Sequence, residues 1–374
     1  MKYYIIAGEA SGDLHGSNLM KEIKKKDPNA SFRFWGGDLM MEQGGTLVKH
    51  YRDLSFMGFL EVILNLRTIL GNIQFCKKDI AAYKPDAVIL IDYPGFNLRI
   101  AEFVKSMGIK VYYYISPQIW AWKTGRVHSI KKFVDRMFVI LPFEKEFYSK
   151  YEYEVDFVGH PLLDALKDLP ELNLEEFKSK NQLDERKIIA LLPGSRKQEI
   201  AVKLPLMLSV ANDFPDYQFV IAAAPSQEEE FYKKIAGDDL NIVYGQTYDL
   251  IRSAEAALVT SGTATLETAF LNTPEVVCYK GSRISYEIGK RVVKNIEYIS
   301  LVNLIMNREV VKELIQNELN SKNIKEELTK ILSGPKRSKI LDDYKELRQK
   351  LGGTGASVRT ADLIVRDLSL KLNK

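Results

Sequence analysis

The stretch Ile188-Ile189-Ala190-Leu191-Leu192-Pro193-Gly194-Ser195-Arg196 decides the fold. A short, unbroken apolar run ends in a glycine turn, and a helix-like pattern follows. A strand buried on both faces reads this way, and such strands belong to parallel sheets covered by helices. The chain opens with the same arrangement: the apolar run Tyr3–Ala7 leads into Gly8-Glu9-Ala10-Ser11-Gly12-Asp13-Leu14-His15-Gly16. Ala87–Ile91, Val111–Ile115 and Met137–Ile140 read as further buried strands in the first half, and Phe219–Ala223 and Ala256–Thr260 in the second. Helical segments of mixed charge separate them. The fold class is therefore α/β, with two Rossmann-like domains whose parallel sheets face an interdomain cleft. The expected boundaries are 1–165 and 186–335. The polar stretch 167–186 reads as a linker. C-terminal helices at 336–374 pack back on the first domain or on a partner subunit, and Gly352-Gly353-Thr354-Gly355 breaks that tail before the last helix.

Composition narrows the function classes. The chain has 374 residues, 46% hydrophobic and 27% charged, which suits a globular protein with a sizeable core. A net charge of +4 is too mild for a nucleic-acid binder and suits attraction to phosphates or an anionic surface. Cys76 and Cys278 have no paired spacing and read as free thiols in a reducing compartment. The opening apolar run is too short for a signal segment, and no run of roughly 20 apolar residues occurs, so membrane contact would be peripheral. The histidines at 15, 50, 128 and 160 show no metal-ligand spacing, and His160 reads either as pointing into the interdomain cleft or as a capped or packed side chain. There is no P-loop, no D-x-D pair and no G-x-S-x-G elbow.

Two turns in the second half suit an anion. Gly194 lets the backbone approach closely, the helix start after Ser195 offers free N–H groups, and Arg196 carries a fork of donors. Ser261-Gly262-Thr263-Ala264-Thr265-Leu266-Glu267 follows another strand. Ser261 or Thr263 can cap the next helix, and Glu267 shares a face with Thr263, where its carboxylate suits ribose hydroxyls. Together the turns point to one nucleotide diphosphate.

In the first half Glu9, Ser11, Asp13 and His15 lie just past a strand's carboxyl end, where open α/β sheets bind ligands. Ser11 or Asp13 is also a candidate helix cap. Glu9 has no evident structural duty. Asp92, in Asp92-Tyr93-Pro94-Gly95-Phe96-Asn97, ends another strand and could take a proton from a hydroxyl. Ser116-Pro117-Gln118-Ile119-Trp120-Ala121-Trp122-Lys123 is an aromatic, basic loop suited to sugar and phosphate.

The segment 56–70 is unusually apolar: Leu60, Ile63 and Leu70 share one helical stripe with Arg67, and Val62, Leu66 and Ile69 share a second. Apolar residues around most of a helix fit two readings, burial on two sides or in-plane contact with lipid or acyl chains.

In order along the chain, several segments resemble the lipid-A-disaccharide synthase family. They are Gly8-Glu9-Ala10-Ser11-Gly12-Asp13, Met57-Gly58 with Glu61-Val62, Ser116-Pro117 with Trp120-Ala121-Trp122, Leu141-Pro142-Phe143-Glu144, Leu192-Pro193-Gly194-Ser195-Arg196, Ser261-Gly262-Thr263-Ala264 with Leu266-Glu267, and Asn303-Leu304-Ile305. The resemblance runs from about residue 3 to about 360. It implies a GT-B glycosyltransferase with no metal and no cofactor. It further implies transfer from UDP-2,3-diacylglucosamine to 2,3-diacylglucosamine 1-phosphate (lipid X), giving the β-1,6 disaccharide 1-phosphate and UDP. The implied setting is cytoplasmic, peripheral on the anionic inner membrane of a Gram-negative bacterium, with homodimers that exchange C-terminal segments. The lipid-facing reading of 60–70 is favoured by the resemblance, and Val202 extends that patch from the second domain. Asn97 and Asn303 join the substrate contacts on the same basis. Many members carry a second Asp where this chain has Gly95, which leaves Asp92 or Glu9 as the base. A UDP-N-acetylglucosamine 2-epimerase-like enzyme and a non-catalytic nucleotide- or lipid-binding protein of the same fold are the alternatives.

Overall fold

The computed structural model describes residues 1–54, 66–122, 124–167, 169–225, 227–238, 240–281 and 297–372; the side chains of Leu66, Ala121, Trp122, Lys371 and Leu372 lie outside that description. Two compact units emerge, one of Met1–Asp168 with Leu351–Lys374 and one of Leu169–Lys350.

The first unit is built on strands β1 (Lys2–Ala7), β2 (Ser31–Gly36), β3 (Thr46–His50), β4 (Ala87–Ile91), β5 (Lys110–Tyr114), β6 (Arg136–Val139) and β7 (Asp156–Phe157). They form a seven-stranded sheet in the order β3-β2-β1-β4-β5-β6-β7, and every paired neighbour runs parallel. The apolar runs become these strands because both faces are covered. Tyr4, Ile6, Val88 and Leu90 enter one core cluster, while Tyr3, Ile5, Ile89 and Ile91 enter another. Helix α1 (Ala10–Lys26) follows β1, and α2 (Asp38–Glu42) follows β2. Helix α3 (Leu66–Tyr83) precedes β4, α4 (Pro94–Ser106) follows it, and α5 (Pro142–Ser149) follows β6.

The second unit has β8 (Lys187–Leu192), β9 (Tyr217–Ala223), β10 (Asn241–Tyr244), β11 (Ala254–Thr260), β12 (Glu275–Tyr279) and β13 (Lys312–Ile315). Their order is β10-β9-β8-β11-β12-β13, again with parallel pairs throughout. Helices α6 (Lys197–Leu208), α7 (Thr263–Phe270), α8 (Leu301–Met306) and α9 (Pro335–Lys350) belong here.

Two expectations change. The stretch read as a linker contains the helix Leu174–Lys180, capped by Asn173. Phe177 and Leu183 bury into the second unit's core, so the stretch is part of that unit. The C-terminal tail divides: α9 stays with the second unit, whereas α10 (Ala356–Leu372) belongs to the first. There Lys26 Nζ bonds Asp362 at 2.9 Å and Tyr112 Oη donates to Asp367 at 2.6 Å, and Ala361, Ile364 and Leu368 fill one face of the core.

No helix among the described residues is long and apolar enough to cross a membrane. Of the residues read as membrane-facing, Leu60, Val62 and Ile63 lie outside the described residues, as does the side chain of Leu66. Ile69 packs partly on the core. Leu70 and Val202 are 47% and 44% exposed, and so is their unanticipated companion Phe75 at 49%.

Candidate functional site

In each sheet the strand order reverses at one point, between β1 and β4 in the first unit and between β8 and β11 in the second. Crossover helices leave in opposite directions there, which opens a crevice at the strands' carboxyl ends. The two anion-type turns of the second unit therefore stand side by side, because Leu192 pairs with Val259 immediately before both of them.

Gly194, Ser195, Arg196, Ser261, Gly262, Thr263 and Glu267 line one cavity of about 500 Å³, floored by Ala222, Ala223 and Ala224. Gly194 (φ 115°) and Gly262 (φ 137°) hold backbone conformations that a side chain would strain. Neither helix that starts here is capped by a side chain; the cap positions are Arg196 for α6 and Gly262 for α7. The expected capping by Ser261 or Thr263 is not made. Thr265 Oγ1 instead donates to the Gly262 carbonyl at 2.8 Å. First-turn N–H groups at both helix starts are therefore left without a side-chain cap, the condition under which such amides can receive an anion.

Glu267 accepts from Tyr248 Oη at 3.1 Å through one oxygen, and burial raises its pKa above the ordinary carboxylate value. Three further polar cavity residues escaped the sequence reading: Thr247, Thr260 and Glu199. Glu199 Oε1 is 3.5 Å from Arg196 Nη1. The signal was present, since positions 196, 199 and 203 share one face of α6.

Asn303 takes a different place from the one expected. Its Nδ2 donates to Val311 O and Glu313 Oε1 at 2.8 and 2.9 Å, and its Oδ1 accepts from the amides of Val310 and Val311. Both amide hydrogens and both acceptor directions are in use, so Asn303 holds the approach to β13 and has no group left for a ligand.

The first unit's crevice is acidic. Glu9 is the exposed N-cap of α1, and Asp92 lies half-buried after the adjacent strand β4. A Cβ on Gly8 would come 2.5 Å from the Tyr93 ring, so only glycine lets the two turns close on each other. Asp92 (φ 43°) and Tyr93 (φ 48°) are both left-handed. Two donors to the Asp92 carbonyl hold that turn: Asn97 Nδ2 at 2.7 Å and Tyr113 Oη at 2.5 Å. The backbone is fixed, and the carboxyl group itself accepts from the Tyr93 amide. Burial, and then the Glu9 charge, push Asp92 up to about 6, in the range useful to a base near neutrality.

The other first-unit candidates divide. Ser11 is exposed beside Glu9. His15 is held neutral, with burial pushing it down to about 4, and its buried Nδ1 has no partner among the described residues. Asn97 is fully buried and acts on the Asp92 turn. Ser116 is buried and bonded to Tyr148 Oη at 2.8 Å and to the Pro117 carbonyl, so it braces its loop. The Trp122 side chain lies outside the described residues. Asp13, considered as a cap for its own helix, instead caps α2, accepting from Gly37, Leu39 and Met40 amides. His160 receives the Leu162 amide on Nδ1 at 3.3 Å, at the start of the helix Leu162–Lys167.

The sequence profile of the family described as Lipid-A-disaccharide synthetase matches residues 3–365. The lipid-A-disaccharide synthase of Syntrophus aciditrophicus (strain SB) is 43% identical, the match covering 96% of this chain and 95% of that protein. The enzyme of the same name from Geobacter metallireducens is 39% identical, covering 98% and 97%. Among solved structures, a UDP-GlcNAc 2-epimerase from Methanocaldococcus jannaschii in complex with UDP-GlcNAc and UDP superposes with a TM-score of 0.65 at 13% identity, covering 98% of this chain and 100% of that one. At that identity the likeness concerns the fold alone.

Proposed function

The chain belongs to the lipid-A-disaccharide synthetase family and is a hexosyltransferase of lipid A disaccharide formation, and on that premise we propose that it condenses UDP-2,3-diacylglucosamine with 2,3-diacylglucosamine 1-phosphate and releases UDP. The observation that carries the donor half is the meeting of the Gly194–Arg196 and Ser261–Thr263 turns in one cavity beside Glu267. The diphosphate lies on the first-turn amides of α6 and α7 with Arg196 as its side-chain partner, and Glu267 uses its remaining oxygen on the ribose.

The acceptor half belongs to Asp92 and Glu9. The acceptor 6-hydroxyl attacks the anomeric carbon on the face opposite the departing UDP, so the configuration inverts. Asp92 takes the hydroxyl proton as the new bond forms, and the glycosidic electron pair leaves with the β-phosphate oxygen. Negative charge grows on that oxygen, where Arg196 and the turn amides stabilise it.

Membrane attachment is peripheral in this reading. Leu70 and Phe75 lie exposed on α3 among Arg67 and Lys78, and apolar side chains flanked by cations suit an anionic bilayer surface. A partner copy on the C-terminal helices completes the proposal. The test is a transfer assay with radiolabelled UDP-2,3-diacylglucosamine, run with and without lipid X. UDP release that depends on lipid X and yields a disaccharide 1-phosphate supports the reading. Epimerised UDP-sugar without transfer, or UDP binding without turnover, would establish one of the two alternatives.

A further inference from the structure

Lys203 is a lysine that the donor site does not explain. Its side chain is only 3% exposed, on the buried face of α6. Its ammonium donates to Thr260 Oγ1, the last residue of β11 before the second anion turn. It also lies 3.7 Å from Glu199 Oε2. A Cβ on Gly194 would meet Glu199 Oε2 at 2.7 Å and Lys203 Nζ at 3.6 Å, so the pair sits directly against the first anion turn.

A carboxylate at that place is a puzzle. Glu199 lines a cavity read as an anion site, and like charges there repel. It also holds Arg196, the guanidinium the diphosphate needs. We propose that Lys203 is a positioning residue for the donor diphosphate, neutralising Glu199 from beneath so that Arg196 is free to leave it for the ligand. This rests on the placement of the diphosphate between the two glycine turns.

Three features of the geometry support the role. The Glu199 carboxylate is shared, with one oxygen toward Arg196 and the other toward Lys203. Arg196 is 65% exposed and can move, whereas Lys203 is enclosed and cannot. When the guanidinium swings to phosphate, the ammonium remains as the carboxylate's counter-charge. Thr260 gains as well: an ammonium can only donate, so the threonine oxygen accepts and its own O–H proton points elsewhere, in a residue that lines the cavity. Lys203 thereby ties the helix after one turn to the strand before the other.

The test is UDP affinity of the full chain by titration calorimetry, with melting temperatures as a check on folding. Lys203→Met keeps the length of the side chain and removes its charge; UDP affinity is expected to fall at least tenfold. Glu199→Gln alone removes a like charge from the cavity and releases Arg196, so it is expected to bind UDP at least as tightly as the parent chain. The pair Glu199→Gln/Lys203→Met is expected to return to within threefold of Glu199→Gln, because the charge that needed neutralising is gone. A merely structural lysine would show no such rescue. Lys203→Met binding like the parent while Arg196→Ala loses UDP would overturn the role of Lys203 and keep the pocket. If both variants bind like the parent, the pocket assignment falls and the inference with it. A tenfold loss in Glu199→Gln alone would make that carboxylate a ligand contact and overturn the inference, even if Lys203→Met did not fold.

Discussion

At the reversal point of the first sheet, β1 and β4 run out into Glu9 and Asp92; at that of the second, β8 and β11 run out into glycine turns, open helix amides and Arg196. The two crevices share one topology and present different groups: carboxylates in the first, main-chain amides and a guanidinium beside carboxylates in the second. The difference teaches that strand order fixes where a ligand can lie, while the few residues just beyond the strands fix what it can be. An acidic crevice attracts a proton and suits a base. A crevice of N–H groups and a guanidinium suits a leaving phosphate.

The sharpest way to break the contrast is to take the charge from the acidic side. Asp92→Asn should lower turnover by about a hundredfold to ten-thousandfold, the range for a lost general base, with little change in melting temperature. The pH profile adds a sign. Burial and the Glu9 charge raise Asp92 to about 6, and a base works only when ionised, so kcat/KM of the parent chain should fall as pH drops through about 6. Glu9→Gln removes one raising charge and should move that limb to lower pH. An unmoved limb would separate Glu9 from Asp92.

On the other side, Arg196→Ala should slow turnover by about a hundredfold, the effect of losing one donor to a developing anion, or about 3 kcal/mol. Its exposure means the fold should survive. Near-normal turnover would remove Arg196 from the site.

Glu144 sharpens the contrast through stability. It is fully buried; one oxygen accepts the Ile140 and Leu141 amides, and the Asp92 charge acts on it as well. Burial pushes its pKa from 4.5 to about 8. The folded chain then holds a proton that the unfolded chain releases between those values. Stability should decline as pH rises from about 5 to 8, by at most about 1.4 kcal/mol per pH unit. Urea unfolding across that range should show a flatter slope in Glu144→Gln.

The smallest effect concerns Gly95. No atom lies within 4 Å of a Cβ placed there, and the residue is exposed in the first turn of α4. Gly95→Asp should fold, with a gain of roughly 0.3–1 kcal/mol from the helix dipole, and should not lower turnover. A loss of activity would show that the acidic crevice tolerates no third carboxylate.

The strands read from the sequence are those with both faces buried, such as Ala87–Ile91 and Ile188–Leu192. Those missed carry polar residues or are very short. Arg33 interrupts β2, Glu275 begins β12 and Glu313 lies inside β13, while β7 has only two residues. Of the candidate site, the turns were legible because glycine and an N-terminal helix start leave a local mark. The work of Asn97, Ser116 and Asn303 was not, because whether a buried polar group meets a ligand or a neighbouring carbonyl depends on what the fold sets opposite it.

By itself, then, the sequence determined two parallel α/β units, their glycine turns and the acidic strand ends, because apolar runs and glycine act over a few residues. Only the tertiary structure decided that Gly194 and Gly262 share one cavity, that Tyr93 presses on Gly8, and that the ammonium of Lys203 lies between Glu199 and Thr260. Those meetings join residues from separate strands and helices, and strand order brings them together.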